Sequence, residues 1–460
     1  MDLYKLSKAE LIEMVLALLA SNNALIKKVE ELTEKVEGLE QEIAELKSKK
    51  NSGNSSLPPS QDPHRAIKNK SLRKTGGRKR GGQPGHKGHA LEMTQTPDEI
   101  IEHMPHYCQA CGEGLCHVPS LMTERRQVVD LPPIHAIYTE HRAYAKVCRC
   151  GKIARGAFPP HVKAPVQYGP GVTSLAGYLS VRQYLPYQRM KECFRDIFGI
   201  SISEGGLVSA VRRLAQKSLP VYQEIKENIE RATVVGADET GAKVNGAKAW
   251  FWVWQNPINT FIAVDKSRGF KAIEHLFPNG LPGSILISDC LAAQLKTPAQ
   301  AHQLCLAHLQ RDLNFFIQLY DDPWAKMLNK LFCEALKMKG GLSCYGKENP
   351  LRDGLVGQLE KLLGHQINEL PPKVKPFLKR LRKNKESLFL FLFHEKVPPD
   401  NNASERAIRN IKVKQKISGQ FVCEENAVDF AVLRSVMDTV LKNGQNVFNA
   451  LKLIAKLTPE

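Results

Sequence analysis

Three carboxylates and two cysteine pairs are the residues of this 460-residue chain whose types and spacing could do chemistry. Asp238 follows a short apolar run in TVVGADETGAKVNGAKAWFWVWQ, Asp289 ends GSILISD, and Glu405 lies in NNASERAIRNIK. An acid at the end of an apolar strand is held on rigid sheet, where a reacting group is best positioned. Carboxylates brought together supply the oxygen ligands that hard cations want. Two divalent ions about 4 Å apart can stabilise both the attacking and the leaving oxygen of a phosphoryl transfer. The expected site holds two Mg²⁺ or Mn²⁺ ions, with Asp238 bridging both, Asp289 completing one and Glu405 the other. Arg406, Arg409 and Lys412 would then hold the flanking phosphates. Each acid also has a structural reading. Asp238 could be a turn residue with Glu239 the functional one, and Asp289 could cap the next helix. Glu405 fits the fourth position of an N-x-x-E capping box from Asn402.

The cysteines point to a second metal. Cys108-x-x-Cys111 and Cys148-x-Cys150 are each followed by a glycine, Gly112 and Gly151. Two such pairs deliver the four soft ligands of a structural Zn²⁺, with Cys116, His106, His117 and His141 as spare candidates. No secretory signal is visible, which favours metal over disulfide. Residues 101–163 therefore read as a zinc ribbon, with TERRQVVDLPP and HAIYTEHRAYAKV as strands between the pairs. The metal would contribute roughly 10 kcal/mol or more to its folding.

The elements that must position the acids follow from pattern. Val234 and Val235 open a short apolar strand that ends at Asp238, and Asn245-Gly246 is a two-residue hairpin turn signal before the strand of the aromatic run Trp250–Trp254. TFIAVD reads as a third strand, Gly269–Phe277 as a helix, GSILISD as a fourth strand, and His302–Tyr320 as a long helix. Three antiparallel strands, a helix, then a strand beside the first describe a ribonuclease-H-like α/β core over residues 233–425. Residues 321–397 form an all-helical insertion, and 426–460 are C-terminal helices. Before the core, residues 164–232 are helical. Tyr178–Phe198 breaks at Gly199, and Ser203 caps a second helix. Helix, glycine turn, helix suggests a helix-turn-helix that sets Leu207–Gln216 in a major groove with Arg212 and Arg213; two ordinary core helices is the alternative.

Residues 1–50 carry leucine at every seventh position, with β-branched residues and one asparagine, Asn22, three positions before. That is the pattern of a parallel dimeric leucine zipper, in which Lys35 would face Glu40 of the other helix. Residues 51–100 are a flexible, basic linker: from Arg65 to Lys87 there are nine Lys or Arg and no acid. Arg65, Arg73, Lys74, Arg78, Lys79, Arg80 and Lys87 there suit a phosphate-binding arm. The whole chain is thus expected to be a multidomain α+β protein. Its net charge of +18 points to a polyanionic partner, nucleic acid before membrane surface, and no apolar run is long enough to span a bilayer.

At these residues the chain resembles the insertion sequence sixty-six family of bacterial DDE transposases, of the TnpC type, over nearly its whole length. The likeness rests on the zipper, NSSLPPSQD, GGRKRGGQPGHKG, the cysteine pairs, GADET, ISDCLAAQ, CLAHLQRDL and NNASERAIRNIK. Carried over by motif, the family's catalytic acids fall on Asp238, Asp289 and Glu405, and Cys305 and His308 match a C-x-x-H element after the second acid. Two departures stand out: the second cysteine pair is C-x-C, and CLAAQ follows the second acid where a glycine and a tyrosine are usual. The resemblance implies water-driven cleavage at transposon ends, then attack of the freed 3′-hydroxyl on target DNA. It also implies a dimer that pairs two ends, accessory proteins of the same element, and a place in the bacterial cytoplasm on the nucleoid. A non-catalytic zinc-containing DNA-binding dimer, such as a domesticated repressor, and a nuclease that cuts without joining are the competing readings.

Overall fold

The computed structural model of the chain describes residues 7–47, 91–132, 134–342, 345 and 348–457. The arm residues Arg65, Arg73, Lys74, Arg78, Lys79, Arg80 and Lys87 lie outside the described residues. Helix α1, Lys8–Lys47, is a single 40-residue helix. Its heptad positions Val15, Leu18, Leu25, Val29, Leu32, Val36, Leu39 and Ile43 are all exposed.

The cysteine-bearing segment is mostly irregular. Its described strands are β1, Ala145–Val147, and β2, Ile153–Arg155, which pair antiparallel. TERRQVVDLPP, expected as a strand, forms none among its described residues. Its side chains are largely exposed and do not alternate between a buried and an exposed face, so no sheet surface holds it.

Helices α2 (Pro170–Gly177), α3 (Tyr187–Phe198), α4 (Glu204–Lys217) and α5 (Leu219–Glu230) precede the main sheet. The expected single stretch Tyr178–Phe198 is split. A π-helical turn covers Tyr178–Arg182, and α3 begins after Pro186. A proline disfavours helical backbone in the residue before it, so the chain restarts there. Gly199, at φ 65°, ends α3, and the Ser203 side chain caps α4 by accepting from the Gly206 N–H, both as the sequence implied.

The main sheet runs β5-β4-β3-β6-β7. Strand β3 is Val234–Val244, β4 Ala247–Gln255, β5 Thr260–Asp265, β6 Leu281–Ser288 and β7 Ala299–Leu304. Strands β3, β4 and β5 are antiparallel neighbours, whereas β6 pairs parallel with β3 and β7 parallel with β6. Asn245 and Gly246 both have positive φ at the hairpin turn, as a tight turn between twisted strands demands. Helix α6, Phe270–Leu276, and the short α7, Ala292–Leu295, flank β6.

Strand β7 is a correction to the expected helix His302–Tyr320. Helix α8 starts only at Leu306 and runs to Tyr320. His302–Leu304 pair instead with Leu286–Ser288. The buried Gln303 fixes this: its amide donates to the Leu388 carbonyl (3.1 Å) and accepts from the Phe391 N–H (2.9 Å). The insertion then adds α9 (Pro323–Gly341), α10 (Pro350–Leu363) and α11 (Val374–Lys383). Helices α12 (Asn402–Ser418), α13 (Glu424–Lys442) and α14 (Val447–Lys456) complete the chain.

Strand parity divides the core between the two faces of the sheet. On β6, Leu286 enters one apolar cluster, while Ile285 and Ile287 enter the other. The second cluster belongs to α8 and the insertion. The first pools α2 to α5, β3 to β5 and α12 to α14, so the expected borders near 232 and 425 do not separate cores. Arg434 pins this assembly from inside. It is 1% exposed and binds Asp438 at 2.6 and 3.0 Å while donating to the Tyr184 hydroxyl at 3.0 Å.

Candidate active site

The three acids sit on elements that the sheet brings side by side. Asp238 is on β3, Asp289 directly follows β6, the parallel neighbour of β3, and Glu405 lies in the first turn of α12. Asp238 is half-buried, and burial pushes its carboxyl well above the ordinary carboxylate range. Asp289, then Glu239, and finally Glu405 add to that rise by charge repulsion. The carboxylates are therefore near enough to feel one another. Glu239, the neighbour of Asp238, is also raised by burial and by Asp289, opposed by Arg268.

Each acid has a partner of its own. Asp238 Oδ1 accepts the Glu239 N–H at 2.8 Å, and Asp289 Oδ1 accepts the Leu291 N–H at 2.9 Å. Glu405 Oε1 accepts from Arg311 Nη2 at 2.9 Å and lies 3.8 Å from His308 Nε2. Glu239 Oε1 accepts from Arg268 at 3.0 and 2.8 Å, while its Oε2 is buried without a hydrogen bond. Among the described residues no three His, Cys, Asp or Glu side chains come close enough to hold one ion together. The donor chemistry still fits a hard cation: every acid offers oxygen, and the charges of Asp289, Glu239 and Glu405 all act on Asp238.

The capping-box reading of Glu405 does not hold. Asn401, not Asn402, is the residue before the helix, its side chain caps nothing, and the Glu405 carboxylate goes to Arg311. The Asn401 side chain instead donates to the Ala237 carbonyl on β3 at 2.7 Å. Helix and strand approach so closely there that a Cβ on Gly236 would stand 2.7 Å from Asn401 Oδ1 and 2.8 Å from Ser404 Oγ. Glycine at 236 is thus set by proximity rather than by its own torsions.

Of the C-x-x-H element, Cys305 is buried and its sulfur accepts the Asn401 N–H at 3.2 Å. His308 lies between Arg311 and the acids. Burial first and Arg311 second lower its pKa, against a smaller pull from Asp289 and Glu405.

The predicted DNA contacts divide. Arg406 and Arg409 are exposed on α12, the residue next to Glu405 and the one a turn past it. Lys412 is not a free phosphate contact: its ammonium donates to the Gly241 carbonyl at 2.6 Å, tying α12 to β3. Arg212 is likewise engaged, at 3.4 Å from both Asp429 and Asn426, while Arg213 is exposed. The expected groove-reading helix buries Leu207, Ala210, Val211, Leu214 and Ala215 in the main core, so only its opposite face is open to a ligand.

The cysteine pairs form two similar turns. Gly112 N–H donates to the Cys108 carbonyl at 2.9 Å, Gly151 N–H to that of Cys148 at 2.8 Å, and both glycines have positive φ. Backbone N–H groups, of Ala110 and Cys111 in one turn and of Cys150 in the other, lower the first thiol of each pair. That stabilises thiolate, the form that binds zinc. The two turns are not gathered into one four-ligand cluster.

The sequence did not reveal Asn401 as a cross-link, nor Arg311 and Arg268 as partners of the acids. Only the packing of distant elements brings them there. Residues 165–429 match the family model described as Transposase IS66 family, and residues 5–92 match a Family of unknown function (DUF6444). A search of curated proteins finds no match.

Proposed function

Since the chain belongs to the IS66 transposase family, we propose that it cleaves the ends of an insertion sequence and joins their 3′-hydroxyls to target DNA at the Asp238, Asp289 and Glu405 site. The observation that carries this reading is the placement of three acids distant in sequence: Asp238 on β3, Asp289 at the end of its parallel neighbour β6, and Glu405 in the first turn of the helix docked on β3 through Asn401. Asp238, Asp289 and Glu405 would hold the Mg²⁺ or Mn²⁺ ions. Bound there, the ions supply Lewis-acid polarisation of the scissile phosphate and activation of the attacking oxygen. The residues of the chain do the rest. Arg406 and Arg409, exposed beside Glu405, bind the flanking phosphates, and Arg311 holds the Glu405 carboxylate.

In the first step a water oxygen bonds to phosphorus and the 3′-oxygen of the element leaves, taking a proton. In the second that 3′-hydroxyl attacks a target phosphodiester, and a target 3′-oxygen leaves. The cysteine turns would hold a structural Zn²⁺ through Cys108, Cys111, Cys148 and Cys150. Pairing of α1 with a second copy would join two ends. Among the described residues no helix is long and apolar enough to cross a membrane, and DNA as substrate puts the protein on the bacterial nucleoid.

The test is incubation of labelled element ends with the protein and Mg²⁺ or Mn²⁺. Asp238→Asn, Asp289→Asn and Glu405→Gln should each lower strand transfer by about 10³-fold or more, with end binding near that of the wild type. Retained joining in any one variant removes that residue from the triad. Binding without cutting would support a repressor, and cutting without joining a nuclease.

A further inference from the structure

Beyond the β3–β6 pairing, which joins two of the acid-bearing elements, α12 has to be tied to both. Three hydrogen bonds in the core do this in sequence. Asn401 Nδ2 donates to the carbonyl of Ala237, the residue before Asp238, at 2.7 Å. The Asn401 N–H donates to Cys305 Sγ at 3.2 Å. The Cys305 N–H donates to the carbonyl of Ser288, the residue before Asp289, at 2.9 Å. The Glu405 N–H closes the set on the Asn401 carbonyl at 3.2 Å. Each acid is therefore at most one helical turn from a member of one connected network.

We propose that Asn401 and Cys305 are positioning residues, a clasp that sets the distances between the three carboxylates and so their affinity for divalent metal; this rests on the function proposed above. The clasp is built for rigidity. Asn401 is 3% exposed and Cys305 1%. Ser404, fully buried, donates to Asn401 Oδ1 at 2.6 Å and so orients the amide to give its N–H to Ala237. The absent side chain of Gly236 leaves room for this pair. Burial pushes the Cys305 thiol up to about 11, so the sulfur is neutral and adds no charge beside the acids. A displacement of about 1 Å at such a site can cost on the order of 10²-fold in rate.

The experiment uses the full-length, zinc-loaded chain and reads Mn²⁺ binding by calorimetry beside cleavage of labelled ends, with Asp238→Asn marking the active-site share of the heat. Asn401→Ala and Cys305→Ala should weaken Mn²⁺ binding, and raise the Mn²⁺ needed for half-maximal cleavage, by roughly tenfold or more. End binding without added Mg²⁺ or Mn²⁺ should stay within about twofold of wild type. Cys305→Ser, which keeps an acceptor at the same place and disturbs packing least, should recover most of the affinity. Wild-type metal dependence in folded Asn401→Ala and Cys305→Ala overturns the proposal, as does a wild type with no Asp238-dependent Mn²⁺ binding. If Asn401→Ala fails to fold, the comparison of Cys305→Ala with Cys305→Ser decides, and equal affinity in the two overturns it. A wild type that binds Mn²⁺ through Asp238 yet never cuts DNA overturns the proposed function while the binding arm still judges the clasp.

Discussion

Asp238 carries an electrostatic cost that the fold tolerates. Its proton is held more tightly in the folded chain than in the unfolded one, because burial and then Asp289, Glu239 and Glu405 oppose its charge. A carboxyl raised in this way stabilises the fold while protonated, and that contribution is lost as pH climbs through the folded value. Without divalent metal, the melting temperature should therefore fall as pH rises above the ordinary carboxylate range, more steeply than in Asp238→Asn, which lacks the ionisable group. Mg²⁺ should reverse the loss, and its stabilising shift should grow with pH, since protons compete with the metal for the same oxygens. Differential scanning fluorimetry of the two proteins with and without Mg²⁺ checks this. A Mg²⁺ shift that is independent of pH, or equal in the two, would count against metal binding at Asp238.

At the scale of elements, what the sequence showed and what it concealed separate by range. The β3–β4 hairpin was legible because Asn245-Gly246 demands its own torsions, and the start of α4 because Ser203 satisfies a helix end three residues away. The strand end before Asp289 was legible from its apolar run, but the strand expected to end at Asp238 runs on to Val244, because pairing with β4 carries it past the apolar residues. Lys412 and Arg212 looked like DNA contacts because charge is visible in a sequence and its partner is not; Gly241, Asp429 and Asn426 are brought to them only by packing. Strand β7 was hidden because Ala299–Leu304 has a strand's place in the sheet but not its apolar pattern. Arg434 is the sharpest case of long-range dependence. Replacing it with methionine leaves Asp438 charged and buried, which should cost about 3–5 kcal/mol. Denaturant unfolding of Arg434→Met measures this, and Asp438→Asn added to it should recover part of the loss. The cysteine turns, as proposed zinc ligands, make a second prediction at this scale. The purified chain should carry one zinc per protomer by elemental analysis, falling towards zero in Cys111→Ser and Cys148→Ser. An unchanged zinc content in both would assign the metal to other ligands.

For the whole molecule the open question is what covers α1. Leu18, Leu25, Leu32 and Leu39 are 61%, 59%, 55% and 58% exposed along a 40-residue helix, an apolar stripe repeated every seven residues. Burying one leucine side chain contributes about 1.5–3 kcal/mol, so leaving this stripe in water is unfavourable by more than a typical surface mutation changes stability. A second α1 in parallel register covers it with the same residues and sets Asn22 against Asn22, which disfavours slipped pairings. On the proposed function, two chains joined this way would bring two DNA ends to one assembly, where linkage can raise avidity by roughly 10²–10⁴-fold without new contacts. Sedimentation equilibrium of the wild type should give twice the chain mass of 51.4 kDa, and the double variant Leu25→Glu, Leu32→Glu should give the single mass. Because α1 contributes no acid to the site, the double variant should keep wild-type Mn²⁺ binding and cleavage of single ends while losing concerted joining of two. A wild type that sediments as one chain at micromolar concentration would refute the zipper, and concerted joining by the monomeric variant would show that another surface pairs the ends.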